Sequence, residues 1–161
     1  MEAGLISKTA GLLALLERKG LKLSAAESCT GGLLCHALTS VTGASKVFHS
    51  GIVAYSDDSK IKLLGVAPEV IAQYGAVSAE TASAMAEAIF LKSGADISVG
   101  ITGNIEPDAS EAKAPVIVFI AVRDRNGIES ASLGLSGNRI ENKYKAADSA
   151  LDLLLKRASG L

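Results

Sequence analysis

Apolar side chains recur along this chain at two spacings, and their alternation outlines helices interleaved with short strands. Leu5, Leu12, Leu13 and Leu16 stand at helical spacing within residues 5–19, and Gly20 supplies the stop. Lys22-Leu23-Ser24-Ala25-Ala26-Glu27 reads as a first strand. Ser28-Cys29-Thr30-Gly31-Gly32 then turns the chain into a second helix striped by Leu34, Ala37, Leu38 and Val41. Residues 47–55 form a second predicted strand, and Ser56-Asp57-Asp58 is a capping signal for a short helix carrying Lys60, Leu63 and Leu64. Pro68 opens another short helix that ends near Gly75. Ser78, with Glu80 and Thr81 behind it, opens a longer one whose inner face holds Ala82, Met85, Ala86 and Ile89.

Ile97-Ser98-Val99-Gly100-Ile101-Thr102 predicts a third strand, followed by a loop from Gly103 to Ala114. The uninterrupted apolar run from Val116 to Val122 predicts a strand covered on both faces. Arg125-Asn126-Gly127 is a hairpin signal, so residues 128–133 are expected to pair antiparallel with that run. A last helix runs from about Asn138 to Ala158, with Tyr144, Ala147, Leu151 and Leu154 facing inward. The order implies a three-layer α/β/α sandwich around a mixed, mainly parallel five-stranded sheet with one antiparallel strand. Neither a linker nor a repeat interrupts it, so residues 1–161 are expected to form one domain.

Composition narrows the class. Hydrophobic residues at 48% and charged residues at 20% describe a folding chain rather than a disordered one. A formal net charge of -1, with no basic run, leaves nucleic acid and anionic membranes without an electrostatic footprint. No stretch is apolar enough to span a bilayer, and the opening residues lack the features of a signal peptide, so a soluble, cytoplasmic protein is expected. Cys29 and Cys35 are too few for a disulfide scaffold or a zinc site and read as buried small side chains.

Loops that leave strand ends and feed helices are where α/β folds place their chemistry. Thr30, Gly31 and Gly32 could present backbone N–H groups to a phosphate or an oxyanion, or simply form a tightly packed helix start. Ser45, Tyr55 and Lys60 could supply a serine nucleophile, an orienting phenol and a lysine base, although such spacing also describes ordinary surface residues. Thr102 could donate to a substrate carbonyl from a strand end, beside Gly103. Arg139, at the start of the last helix, could grip a carboxylate or phosphate. His36 and His49 are isolated and carry no assigned role, and the P-loop, zinc-protease and nucleophile-elbow patterns are absent.

Several of these segments together carry a family resemblance. Ala26-Glu27-Ser28-Cys29-Thr30-Gly31-Gly32 resembles the AESCTGG signature of the CinA C-terminal family, also called nicotinamide-nucleotide amidases. Gly51-Ile52-Val53-Ala54-Tyr55-Ser56, Lys60, Leu64-Gly65-Val66, Gly75-Ala76-Val77-Ser78, Thr102-Gly103 and Ser136-Gly137-Asn138-Arg139 follow in the family's order across nearly the whole chain. The resemblance implies hydrolysis of the carboxamide of nicotinamide mononucleotide to nicotinate mononucleotide and ammonia, without metal or cofactor. It assigns the nucleophile to Ser45, its partners to Tyr55 and Lys60, and substrate contacts to Thr102 and Arg139. Ser28 is set aside. The partner implied is a small nucleotide, and a closed homo-oligomer is the general expectation for a small enzyme.

One stretch departs from the pattern. The family commonly shows [ST]GIAGPDGG and then KPVG, whereas this chain has Glu106 before Pro107, Ala109 and Ser110 after Asp108, and Lys113-Ala114-Pro115-Val116-Ile117. Lost glycines change how closely backbone approaches a ligand, and Glu106 would repel a phosphate if it pointed inward. A silent or altered-specificity relative that binds a nucleotide or a protein is therefore the alternative expectation.

Overall fold

The computed structural model describes residues 1–106 and 115–161. Its elements are α1 (Glu2–Lys19), β1 (Leu23–Glu27), α2 (Leu33–Thr39), a 3-10 turn (Ala44–Lys46), β2 (Phe48–Val53) and α3 (Asp57–Ser59). They continue with a π-helical turn (Lys60–Leu64), α4 (Pro68–Tyr74), α5 (Ala79–Ser93), β3 (Ile97–Asn104), β4 (Ile117–Asp124), β5 (Gly127–Gly134) and α6 (Arg139–Ser159).

The strands form one sheet in the order β2-β1-β3-β4-β5. β1 pairs parallel with both β2 and β3, whereas β4 is antiparallel to β3 and to β5. Only β4 therefore runs against the others, which matches the expected count of one antiparallel strand and the expected antiparallel pairing of residues 128–133 with the run before them. β1 lies in the middle of the parallel part, and all five of its residues are buried. One face packs against α1, α2 and α6 through a core that includes Leu12, Leu16, Leu34, Ile101, Leu151 and Leu154. On the other face α5 brings Met85 and Ile89 against Ala26 and Ala54, and Ala82 and Ala86 against Ala121.

Burial alternates along β4. Val118, Ile120 and Val122 join the larger core, while Ala121 faces α5 with Phe119 packed beside it. A strand clad on both sides reads as an unbroken apolar run for that reason. β3 extends two residues past Thr102, because Gly103 and Asn104 pair with Val118 and Ile117. Within the departing stretch, Pro107, Asp108, Ala109, Ser110, Lys113 and Ala114 lie outside the described residues. No helix among the described residues is long and apolar enough to cross a membrane.

This topology carries the functional consequence. β1, β2 and β3 run the same way, so the residues that follow them gather at one edge of the sheet. Glu27 is level with Val53 on one side and Ile101 on the other. The chain segments after Glu27, after Val53 and around Thr102 therefore meet.

Candidate active site at the carboxyl edge of the parallel strands

A cavity of about 190 Å³ opens at that edge, lined by Ser28, Cys29, Tyr55, Asp57, Lys60, Ala76, Val77, Thr102, Gly103, Asn104, Ile105 and Arg139. A wider groove of about 310 Å³ between α1 and α6 is lined by Met1, Gly4, Leu5, Tyr144, Lys145 and Asp148, with no serine, threonine or cysteine among them. The smaller cavity gathers a serine, a buried lysine, a threonine and an arginine.

Ser28 follows β1 directly. Its N–H donates to Ile101 O at 2.9 Å, and Ala54 N–H donates to Glu27 O at 2.8 Å, so the sheet pairing continues up to the serine. The residue is 6% exposed. Lys60 is buried to 2%. Ser56 and Ser59 form a reciprocal capping box that starts α3, and the wider π turn then carries Lys60 inward. Lys60 Nζ donates to the Tyr55 carbonyl oxygen at 3.3 Å. Burial pushes its amine below the ordinary lysine range, while the Asp57 carboxylate and the Cys29 sulfur pull the other way. A lysine so placed gives up its proton more readily than one in water, which is what a general base needs.

Ser45 is elsewhere. It lies exposed in the 3-10 turn before β2, whereas Tyr55 and Lys60 follow the far end of that strand. The span of Phe48–Val53 separates them by roughly 16 Å at ~3.3 Å per residue. The sequence-based pairing of Ser45 with Lys60 is corrected accordingly: within one chain the hydroxyl and the amine sit at opposite edges of the sheet. Ser28, which the sequence reading set aside, occupies the cavity instead.

Of the three residues expected to meet a phosphate or oxyanion, Thr30, Gly31 and Gly32, the last two have their N–H groups already engaged. Glu27 is fully buried, and its carboxylate accepts the N–H groups of Gly32 at 3.0 Å, Leu34 at 3.2 Å and Cys35 at 2.7 Å. Gly31 N–H donates to Ser28 O and Leu33 N–H to Thr30 O. The start of α2 is thus filled by the chain's own carboxylate, an anion suited to that end of a helix. Gly31 and Gly32 have φ of 59° and 94°, so the turn itself requires glycine. Thr30 is fully buried, and its hydroxyl has no partner among the described residues.

The other predicted positions line the cavity with altered roles. Thr102 Oγ1 donates to Ala76 O at 2.7 Å, which ties the segment after α4 to β3 and leaves the hydroxyl free only to accept. A Cβ on Gly103 would lie 2.7 Å from Ile117 O, so its missing side chain admits β4. Tyr55 is 57% exposed; its carbonyl meets Lys60, whereas its hydroxyl accepts from Arg139 Nη2 at 2.8 Å. The phenol therefore belongs to the rim rather than to the proton path. Arg139 also pairs with the Glu106 carboxylate through Nη1. Cys29 is buried, and that burial pushes its thiol up to about 12, so it stays protonated beside Ser28.

Asp57, Asn104, Ile105 and the Ala76-Val77 segment carry no site role in the sequence reading. Asp57 was legible only as a helix start. The signal for Ser28 was available in the topology: it directly follows a parallel strand, whereas Ser45 precedes one.

A protein of Kosmotoga olearia named CinA-like is 43% identical over 143 residues, covering 87% of this chain and 34% of its own length. A protein of Caldicellulosiruptor saccharolyticus, whose name refers to competence-damage induction, is 45% identical over 143 residues, covering 88% of this chain and 35% of its own. The chain thus spans about a third of the length of these curated relatives. A competence-damaged protein (CinA) superfamily member from Klebsiella pneumoniae superposes with a TM-score of 0.92 at 29% identity, covering 98% of this chain and 99% of the other. A competence or damage-inducible protein from Enterobacter asburiae gives 0.90 at 33% identity, with 96% and 98% covered. The model of the CinA C-terminal domain matches residues 6–158, and the chain belongs to that family.

Proposed function

We propose that this chain is a serine amidohydrolase acting on the carboxamide of nicotinamide mononucleotide, with Ser28 as nucleophile and Lys60 as general base. The observation that carries the reading is the pairing of a buried, pKa-lowered amine with a serine that opens onto the same cavity. At about 190 Å³ the cavity falls below the ~300–1,000 Å³ usual for whole drug-sized ligands, which suits the carboxamide head with the ribose phosphate along the rim.

In the proposed reaction neutral Lys60 takes the Ser28 hydroxyl proton as the oxygen attacks the amide carbon. The tetrahedral adduct collapses, the carbon–nitrogen bond breaks, and Lys60 returns the proton to the departing nitrogen, giving ammonia. Water then gives a proton to Lys60 and attacks the ester, and Ser28 leaves with that proton as the acid is released. Asp57 holds negative charge near the ammonium formed between steps.

Ammonia release from nicotinamide mononucleotide separates the two serines. Ser28→Ala should lower the rate at least about a thousandfold, while Ser45→Ala should stay within about twofold of the parent. Full activity in the Ser28 variant would overturn the assignment. Absence of ammonia release by the parent would favour the silent relative.

A further inference from the structure

Arg139 is the first residue of α6, and its guanidinium stands at the mouth of the cavity. A planar cation at the start of a long helix is a strong position for an anion. Three of the nearby N–H groups are already used. Glu141 N–H donates to Asn138 Oδ1 at 3.0 Å, Asn138 N–H to Glu141 Oε2 at 3.0 Å, and Asn142 N–H to Asn138 O at 2.9 Å. The guanidinium fork is what an incoming anion would meet. Its two arms are held by the Tyr55 hydroxyl and by Glu106, whose own N–H leans on Asn104 Oδ1 at 3.4 Å. The ion pair is half-exposed, with side chains 42% and 50% accessible, so it can open.

We propose that Glu106 is a specificity-determining residue, an internal anion that competes with a nucleotide's phosphate for Arg139. The inference rests on reading the site as one for a pyridine mononucleotide. A phosphate that binds Arg139 must displace the Glu106 carboxylate and then lie beside its charge, whereas a nucleoside without phosphate meets neither obstacle. Glu106 is at the rim and Lys60 is inside, so the effect falls on KM rather than on kcat. A half-exposed ion pair is a weak competitor, and with the added repulsion it weakens phosphate binding by about five- to tenfold.

The test compares nicotinamide mononucleotide with nicotinamide riboside. Calorimetric binding to Ser28→Ala and to Ser28→Ala/Glu106→Gln requires no turnover. Removing the charge should tighten the mononucleotide about five- to tenfold and leave the riboside within twofold, and in the active parent Glu106→Gln should lower KM for the mononucleotide at unchanged kcat. Equal change for both ligands, no change for either, or no mononucleotide binding to either protein would overturn the role of Glu106. If the binding ratio shifts as expected while the active parent releases no ammonia from either compound, the amidase reading fails and the anion competition stands.

Discussion

Lys60→Met should make the protein more stable and inactive at once. The parent carries an ammonium at 2% exposure, and its only hydrogen bond among the described residues is to the Tyr55 carbonyl at 3.3 Å. Methionine has a similar unbranched stem and no charge to desolvate, so the apolar contacts persist while the burial penalty disappears. A single stabilising substitution commonly yields about 0.5–2 kcal/mol, or roughly 1–8 °C in Tm for a chain of this size. The pH dependence isolates the cause. The folded-state pKa lies below the unfolded value near 10.5, so the penalty is complete below the folded pKa. As pH rises from there towards 10.5, the unfolded state binds the extra proton and the parent gains stability, by up to about 1.4 kcal/mol per pH unit. The variant lacks this gain. Urea unfolding of both proteins at several pH values should show the variant ahead at neutral pH and the gap closing as the solution becomes alkaline. A variant less stable than the parent at neutral pH, or a gap that ignores pH, would refute the reasoning.

Other consequences follow from the same geometry. Activity should rise with pH through an ionisation below the ordinary lysine range, because only neutral Lys60 accepts the serine proton, and kcat/KM against pH measures this. Asp57→Asn should move that rise to still lower pH by removing the charge that supports the ammonium. Glu27→Gln turns an amide nitrogen towards backbone N–H donors that the carboxylate now satisfies, and should cost about 2–4 kcal/mol in chemical denaturation. Gly100→Ala would set a Cβ 2.3 Å from Ala82 O and 2.6 Å from Ala86 N, pushing α5 off β3 at about 1–3 kcal/mol in the same assay.

The elements were legible because each buried face has a simple period. Leu5, Leu12, Leu13 and Leu16 mark the inner side of α1, and Ala82, Met85, Ala86 and Ile89 that of α5. The antiparallel pairing of β4 with β5 could be read from the turn at Arg125-Asn126-Gly127, since so short a connection permits only that pairing, whereas the reversal of β4 against β3 could not. The extent of β3 was not legible, because Gly103 and Asn104 have the composition of a loop and are held in the sheet by β4.

The lining of the candidate site was partly readable from the sequence, but the contacts of its residues were not. Lys60, Tyr55, Thr102 and Arg139 share the cavity, yet nothing in their spacing shows that the Tyr55 carbonyl faces the amine or that the Thr102 hydroxyl is spent on Ala76. Ser45 was misleading because sequence distance ignores direction, and β2 carries the chain across the whole sheet between that serine and Lys60. Glu27 hid its function inside a motif rich in small residues. Its carboxylate closes the start of α2 and so shapes the turn that presents Ser28.

The central claim, that the Ser28 oxygen forms the bond to the substrate's acyl carbon, is tested most directly by trapping the intermediate. Turnover of nicotinamide mononucleotide by the parent protein, stopped by rapid acid quench and mapped by peptide mass spectrometry, should place an acyl ester on the peptide containing Ser28. An ester on Ser45, or ammonia release with no protein-bound acyl group at any time, would contradict the account.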